Sequence, residues 1–328
     1  MNKHDENILA LLRQGGDYVS GEAICKHLAV TRAAVWKHVN ALREAGYEIE
    51  SSRGNGYRLA GVPDIPYACE VSRALTTVAL GREFDYTPST ASTNARMITR
   101  AEAGAPHGAV LVADHQTAGR GRLTRQWFSP PGVNLYFSLL LRPAVQPMLA
   151  PQISLVAGLA LARAVEHIRP DLAPKVKWPN DVFLDGLKLS GILCDMRAEA
   201  DRVHYLVVGV GINVNVDLTA FPEELIGKAT SLKNAAGGPV SRAEVLAAFL
   251  NEMEVCFEEW ETEGLGPLIP ALEERSYQRG MRVTIESGAD SFSGIALGFS
   301  PNGGLLVDTG GERPREVICG DVLPVHDA

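Results

Sequence analysis

Cysteine pairs, long apolar runs and the common nucleotide-binding signatures are missing from this sequence. Its 328 residues include five scattered cysteines without a CxxC pair. This spacing argues against a zinc site or a redox dithiol and suits a reducing cytoplasm. No apolar run reaches the ~18 residues of a membrane-spanning helix, and the charged N-terminus precedes only a very short apolar run. We therefore expect no transmembrane helix and no signal peptide.

Two nucleotide-binding folds are also disfavoured. GVGINV lacks the third glycine of a dinucleotide fingerprint, and GKA at Gly227 has no P-loop pattern before it. The net charge of −8 argues against a protein that coats nucleic acid with its whole surface. The length still allows two or three domains, one of which could bind DNA.

Residues 1–62 have the pattern of a winged helix-turn-helix. Helical spacing recurs in ENILALLRQ, in SGEAICKHL after the N-cap Ser20, and in TRAAVWKHVNALREAG after the N-cap Thr31. YEIESSRGNGYRL alternates around GNG, as a hairpin does. The third helix should bury Val35, Val39 and Leu42. The side chains expected to contact DNA lie away from that stripe or on the wing: Arg32, Trp36, Lys37, Asn40 and Arg53.

A helical protein-interaction module remains the alternative for this segment. Its eight lysines and arginines against seven aspartates and glutamates give a net charge of +1, which leaves −9 for the remainder. The contrast favours DNA binding.

The proline-containing stretch GVPDIP separates this module from a central segment, residues 67–275, and a C-terminal segment, residues 276–328. SLVAGLALARAVEHI predicts a helix packed on a sheet, and NLYFSLLL and HYLVVGVGINVNV predict buried strands. The C-terminal segment reads as short strands separated by turns, which predicts a small β-barrel.

An arginine-glycine stretch, HQTAGRGRLTRQWFSPPGVNLYFS, lies in the central segment. Gly119 and Gly121 let backbone amides approach a ligand, and Arg120 and Arg122 project to the same side of an extended loop. Guanidinium groups bind phosphate or carboxylate in bidentate fashion. A loop over an anionic small ligand is therefore favoured over an ordinary polar loop or an RNA-binding loop.

A second stretch, KWPNDVFLDGLKLSGIL, contains the hairpin turn Asp185-Gly186. Pairing outward from the turn places Lys188 opposite Phe183 and Asp181 opposite Ser190. Asp181 and Lys188 would then share one face, roughly 7 Å apart. The lysine could offset charge on a phosphate, and the aspartate could hold Mg²⁺ or accept a proton. A surface ion pair is the alternative.

A third stretch, STASTNARM, places Ser92, Thr93 and Asn94 just before a helical run. These short side chains could cap the helix or line a pocket for a small polar ring system.

Together and in this order, these stretches resemble the biotin protein ligases. GRGR…R.W.SP.G.NLY.S, KWPND, K.SGIL and GINVN are all present, and the winged module resembles the bifunctional ligase-repressor form. The resemblance implies an α+β protein with a winged helix-turn-helix, a mixed α/β ligase domain with a largely antiparallel sheet, and a small SH3-like β-barrel.

The resemblance also implies the reaction and its partners. Biotin and ATP, with Mg²⁺, would give biotinyl-5′-AMP, from which biotin passes to a lysine of a biotin carboxyl carrier protein. With biotinyl-AMP bound, a homodimer would bind operator DNA and repress the biotin operon. A cytoplasmic location is expected. A lipoate-type acyl-adenylating ligase and a non-catalytic, ligand-sensing transcription factor remain alternatives.

The resemblance assigns roles to residues of this chain. Lys188, Arg122, Arg120 and Asp181 would be catalytic, with Asp181 also a magnesium ligand. Trp127, Asn180 and Asn213 would lie at the nucleotide. Biotin would contact Ser92, Thr93, Asn94, Gln116, Gly119, Arg120, Gly121, Arg122, Lys188 and Gly191. Leu123-Thr124 departs from the more basic, glycine-containing pair of the best-known repressors. Residues 217–232 do not align with the family pattern, so no nucleotide contact is assigned to them.

Overall fold

The computed structural model describes residues 2–15, 17–123, 125–287 and 290–324. Thr124, half of the divergent Leu123-Thr124 pair, lies outside them. The chain divides into two compact units, Met1–Ile65 and Pro66–Ala328. The second unit contains both the central segment and the C-terminal strands.

The first unit is a three-helix module with a hairpin. Its helices are α1 (Lys3–Gln14), α2 (Gly21–Leu28) and α3 (Arg32–Glu44), and its antiparallel strands are β1 (Glu48–Ser52) and β2 (Gly56–Gly61). The Ser20 and Thr31 side chains cap α2 and α3 as expected. The buried stripe Val35, Val39 and Leu42 is confirmed. In α1, Leu9 is buried, whereas Leu11 is only half-buried.

A seven-stranded sheet forms the centre of the second unit. Its order is β3-β4-β5-β9-β8-β7-β6, and among the described strands only β3 and β4 run parallel. The expected largely antiparallel sheet is thus confirmed. The strands are β3 (Phe84–Thr87), β4 (Val110–Ala113), β5 (Leu135–Leu141), β6 (Lys175–Lys177), β7 (Asp181–Leu184), β8 (Leu187–Ala198) and β9 (Val203–Ile212).

Two long helices, α6 (Ile153–Ile168) and α8 (Arg242–Glu263), pack against each other and share the hydrophobic core of the sheet. With the 3₁₀ turn before it, α6 extends over Pro147–Ile168, which is apolar and long enough to cross a membrane. The sequence predicts no such segment. Its most apolar window is 72% buried within the protein, as in a core helix. The shorter helices are α4 (Ala68–Val71), α5 (Thr93–Glu102), α7 (Leu232–Ala236) and α9 (Ile269–Glu274).

The C-terminal strands form a second, antiparallel sheet in the order β13-β12-β11-β10-β14. Val283, Ile285 and Val307 of this sheet belong to the same hydrophobic core as the central sheet. The expected closed SH3-like barrel is not confirmed, because no pairing joins β13 to β14 within residues 290–324. The strands are β10 (Arg282–Ser287), β11 (Asp290–Phe299), β12 (Leu305–Asp308), β13 (Arg315–Val317) and β14 (Asp321–Pro324).

Candidate active site

One pocket of about 290 Å³ is lined by residues from all three of the stretches described in the sequence analysis. Its floor is the β8–β9 ladder, where Gly191 stands opposite Gly211. The Trp127 indole lies on this glycine pair. A Cβ at Gly211 would be 2.4 Å from the indole Nε1, and one at Gly191 would be 3.0 Å from Cζ3. Both positions therefore need glycine for the indole to lie flat.

Most residues expected at the site line this pocket. They are Ser92, Thr93, Asn94, Gln116, Arg120, Gly121, Arg122, Trp127, Asn180, Asp181, Lys188, Gly191 and Asn213. Gly119 is the exception, because it lies behind the lining. A Cβ there would be 2.6 Å from Ser129 Oγ and 2.8 Å from the Trp127 carbonyl oxygen, so this glycine lets the loop pack closely.

Gln116 is held in one orientation by its neighbours. Its Oε1 accepts hydrogen bonds from the Thr93 backbone N–H at 2.9 Å and the Thr93 hydroxyl at 3.2 Å. Its Nε2 donates to Ser129 Oγ at 3.3 Å, and Ser129 donates to the Trp127 carbonyl at 2.9 Å. Ser92 caps α5, which is the alternative role the sequence allowed. The start of α5 and the arginine-bearing loop are thus joined.

Asn94 ties α5 to two strands of the central sheet. Its Nδ2 donates to the Leu193 carbonyl at 3.1 Å and to Asp195 Oδ2 at 2.7 Å, and its Oδ1 accepts from Ser138 Oγ at 2.6 Å. A Cβ at Gly209 would be 2.0 Å from that Oδ1. The amide therefore ties α5 to β5 and β8, although the residue also borders the pocket.

Asp181 and Lys188 meet as the hairpin pattern predicted. Lys188 Nζ lies 2.7 Å from Asp181 Oδ1, an ionic contact whose angle is not that of a hydrogen bond. The predicted register is wrong beyond Lys188. Asp181 stands opposite Gly191, not Ser190, because a β-bulge interrupts the ladder between Val182 and Phe183. The ammonium also lies 5.6 Å from the Trp127 ring centroid.

The arginine-bearing loop is held by two contacts within itself and by two contacts to other segments. Arg120 forms an isolated bridge with Gln126, and Gly121 N–H donates to the Arg125 carbonyl at 2.7 Å. Arg122 Nη1 donates to Asn180 Oδ1 at 3.3 Å. Arg125 Nη2 donates to Asp321 Oδ2 of β14 at 2.6 Å. The loop thus spans from the KWPND segment to the C-terminal sheet.

Two parts of the pocket wall were missed by sequence reasoning. Phe221, Leu225 and Ala229 form an apolar wall from the stretch left unassigned, together with Phe128. Asp321, Val322 and Leu323 bring the C-terminal sheet to the pocket as well. The sequence signal for the first part was weak: apolar residues at scattered spacing in a loop.

The C-terminal region also positions the KWPND segment. The Gln278 side chain accepts from Trp178 N–H at 2.7 Å and donates to the Trp178 carbonyl at 3.1 Å. Trp178 Nε1 donates to the Gly303 carbonyl at 3.0 Å.

Asn213, nearly fully buried, accepts from Asn134 Nδ2 at 3.4 Å and supports the floor from the end of β9.

The pocket is strongly cationic. Its lining includes Arg120, Arg122, Arg125, Lys177 and Lys188, against two carboxylates, Asp181 and Asp321. No group of three or more His, Cys, Asp or Glu within the described residues could hold a metal ion by itself. Such a pocket suits anionic ligands that bring their own oxygen atoms to a divalent cation.

The residues predicted to bind DNA lie on one surface of the first unit or on its wing. Arg32, Trp36, Lys37 and Arg53 are exposed, and Trp36 has 61% of its surface accessible. Asn40 is half-buried, and its Oδ1 accepts from Arg43 at 3.2 Å. Arg43 also donates to the Ile49 carbonyl, which fixes α3 against the wing.

Comparisons with known proteins agree with both parts of this description. Residues 86–213 match the biotin/lipoate A/B protein ligase family, and residues 5–58 match an HTH domain. The bifunctional ligase/repressor BirA of Bacillus subtilis is 36% identical over 97% of both chains. That of Escherichia coli is 31% identical over 93% of this chain and 92% of its own. The structure is similar to the Aquifex aeolicus biotin protein ligase in complex with biotin and ATP, with a TM-score of 0.64 and 31% identity, over 75% of this chain and all of that one.

Proposed function

The chain belongs to the biotin/lipoate A/B protein ligase family and, with its helix-turn-helix, to the bifunctional ligase/repressors, and from that premise we propose a two-step ligase reaction. The protein activates biotin with ATP to biotinyl-5′-AMP. It then transfers biotin to a lysine of a biotin carboxyl carrier protein. The observation that carries this proposal is the Lys188–Asp181 pair beside the glycine floor and the Trp127 indole.

In the first step, a biotin carboxylate oxygen attacks the α-phosphorus of ATP. The bond from that phosphorus to the bridging oxygen breaks, and pyrophosphate leaves with the electron pair. Lys188 neutralises the charge that develops between the two reactants, and Arg120 and Arg122 cover them. In the second step, an acceptor amine attacks the acyl carbon, AMP leaves, and the amine loses a proton.

The remaining pocket groups divide between the two ligands. Gln116, with Ser92 and Thr93, is placed for the polar ring of biotin. Gly191, which we also assign to biotin, lies under the Trp127 indole in this structure, so its contact with biotin requires that the indole shift. Trp127 and the apolar wall of Phe221, Leu225 and Ala229 suit a flat nucleobase. Asn180 and Asn213 also line the pocket, and we assign them to the nucleotide.

Magnesium fits this site as an ion that binds together with ATP. Asp181 is the carboxylate beside Lys188, and within the described part of the chain its Oδ1 makes this ionic contact but no hydrogen bond. Mg²⁺ commonly takes one or two carboxylates together with substrate phosphates. When bound, it would supply charge neutralisation at the phosphates, and Asp181 would hold it.

The decisive experiment is ATP–pyrophosphate exchange stimulated by biotin or by lipoate. We expect exchange with biotin and background exchange with lipoate. The reverse preference would favour the lipoate-type alternative. A loss of both would favour a non-catalytic sensor, although the retained Lys188, Asp181 and loop arginines argue against that reading.

The second activity, repression, depends on the first unit. We propose that residues 1–62 bind operator DNA through α3 and the wing, with Arg32, Trp36, Lys37, Asn40 and Arg53 at the interface. We divide the rest into a ligase domain, residues 67–275, and a small C-terminal β domain, residues 276–328, in a cytoplasmic protein. One recognition helix makes few contacts, so specific binding needs a dimer on a two-fold site.

An open sheet edge supports the homodimer. β8 continues to Ala198, whereas its neighbour β7 pairs only as far as Gly191. Beyond that point the outer side of β8 faces no strand among the described residues. Such an edge can pair with the same strand of a second copy.

A further inference from the structure

A second lysine, Lys177, borders the pocket and has no role in the reaction described above. It ends β6 immediately before Trp178, and it stands directly opposite Asp181 in the β6–β7 ladder. Its backbone position is fixed from both sides, because Val176 exchanges hydrogen bonds with Arg275 and Tyr277, and Trp178 with Gln278. The lysine is therefore held at the pocket by rigid elements.

Lys177 lacks the ionic partner that its neighbours have. Both pocket carboxylates are already engaged: Asp181 lies 2.7 Å from Lys188, and Asp321 lies 2.6 Å from Arg125. Within the described part of the chain, no carboxylate lies within ion-pair distance of Lys177. Its ammonium instead lies 4.9 Å from the Phe183 ring centroid, and that ring packs on Tyr277.

The surroundings of this ammonium favour an external anion. Burial lowers the pKa of Lys177, and the nearby cations Lys188 and Arg125 lower it further, against Asp181 and Asp321. A half-buried cation among other cations is costly unless a negative ligand compensates it. Lys188 lies on β8 near Trp127 and the floor, whereas Lys177 lies on β6, on the other side of β7, where Asp321 and Arg125 influence it.

We propose that Lys177 binds the β- and γ-phosphates of ATP and the pyrophosphate that leaves in the first step. This inference rests on the proposed function, since it assigns the leaving-group end of the same site. Lys188 then acts where the carboxylate meets the α-phosphate, and Lys177 stabilises the charge that the departing pyrophosphate gains. Two lysines on either side of Asp181 thus have separate tasks.

The test compares Lys177→Met, Lys177→Gln and Lys177→Arg with the wild type. The readouts are product inhibition by inorganic pyrophosphate with Mg²⁺, the KM values for ATP and biotin, and biotin transfer from preformed biotinyl-AMP. The two neutral variants should bind pyrophosphate ~10–100-fold more weakly, as expected for the loss of a charge-assisted contact. In these variants the KM for ATP should rise as the affinity for pyrophosphate falls, whereas the KM for biotin should stay unchanged. Lys177→Arg should retain much of the affinity for pyrophosphate.

Lys175→Met is the matched control. Lys175 lies two residues earlier on β6, and its ammonium donates to the Glu274 carbonyl at 3.2 Å outside the pocket. This variant should behave as the wild type. Unchanged pyrophosphate inhibition in both folded neutral variants would overturn the inference. The inference would also be overturned if the neutral variants lost transfer from preformed biotinyl-AMP as strongly as they lose biotin-dependent ATP–pyrophosphate exchange, because an equal loss of both steps indicates a purely structural role. A wild type without biotin-dependent exchange would instead overturn the proposed function.

Discussion

The Trp127 indole lies on Gly211, at a distance that leaves no room for a Cβ. An added Cβ would be 2.4 Å from Nε1 and 2.5 Å from Cε2 of the ring. Gly211→Ala should therefore displace the indole from the floor, at a cost typical of an overpacked site, ~1–3 kcal/mol. We expect the KM for ATP to rise about tenfold or more and Trp fluorescence to shift to longer wavelength. Kinetics and emission spectra of the folded variant measure both.

Gly238→Ala serves as the control for this substitution. Nothing lies within 4 Å of a Cβ at Gly238, and its φ is not in the left-handed region. This variant should keep the wild-type KM and emission. A Gly211→Ala enzyme with both values unchanged would show that Trp127 does not depend on the glycine floor.

The hairpin shows how far local sequence determines the site. The Asp185-Gly186 turn fixes the first pairs, Leu184 with Leu187 and Phe183 with Lys188, and the second is the pairing expected from the sequence. The bulge that follows is not part of the turn pattern, so pairing outward from the turn one residue at a time could not predict it. The Asp181–Lys188 contact was nevertheless predicted correctly, because both residues lie on the sheet face that the turn fixes.

The parts that the sequence did not predict are contacts between distant segments. Arg125 and Asp321 are 196 positions apart, and neither stretch indicates the other. Lys177 likewise has no distinguishing signal within KWPND, because it differs from the other pocket cations only in that Asp181 and Asp321 already pair with Lys188 and Arg125. The winged module was better predicted, since its caps, stripe and hairpin are all local patterns.

Lys188→Met should slow adenylate formation far more than it affects folding. The side chain supplies one preorganised charge at the reacting groups, and loss of such a contact costs ~10²–10³ in rate. Biotin-dependent ATP–pyrophosphate exchange and thermal melting measure the two effects. Lys233→Met is the control, because Lys233 also lies 2.7 Å from an aspartate, Asp217, but away from the pocket. If Lys188→Met exchanges at a near-wild-type rate, Lys188 has no part in the mechanism.

Arg122→Ala should let the intermediate escape. Arg122 ties the loop to Asn180 across the pocket, and hydrogen bonds of charged groups contribute ~1.5–3 kcal/mol. We expect biotinyl-AMP to dissociate about tenfold or more faster and to biotinylate lysines of an added bystander protein. Arg120→Ala should do the same. Arg202→Ala, an exposed arginine paired with Glu199, is the control. Retention of the adenylate for as long as in the wild type would disprove the lid role.

Lys37→Ala should weaken operator binding and reduce its dependence on salt. Lys37 is an exposed cation on α3. A lost phosphate contact lowers the slope of log K against log salt by about 0.9. Trp36→Ala should weaken binding with little change in slope, because its indole carries no charge. Lys3→Ala, on α1, is the control. Titrations at several salt concentrations distinguish these outcomes, and an unchanged slope for Lys37→Ala would place that residue outside the DNA interface.

The last prediction concerns coupling between the two activities. Biotinyl-AMP persists when acceptor protein is scarce, and its contacts with the loop 114–132 should hold that segment more firmly in its packed arrangement. If the ordered loop stabilises the dimer, less entropy is lost when two copies associate. A coupling of ~1–3 kcal/mol corresponds to ~5–150-fold tighter assembly. Sedimentation and operator titration, each with and without biotin plus ATP, should show ligand-dependent dimers and tighter DNA binding together. Arg122→Ala, which loses the adenylate, should weaken both responses in parallel. If ligand leaves the monomer fraction and the DNA affinity of the wild type unchanged while exchange remains active, the protein is a ligase whose DNA binding does not respond to its intermediate.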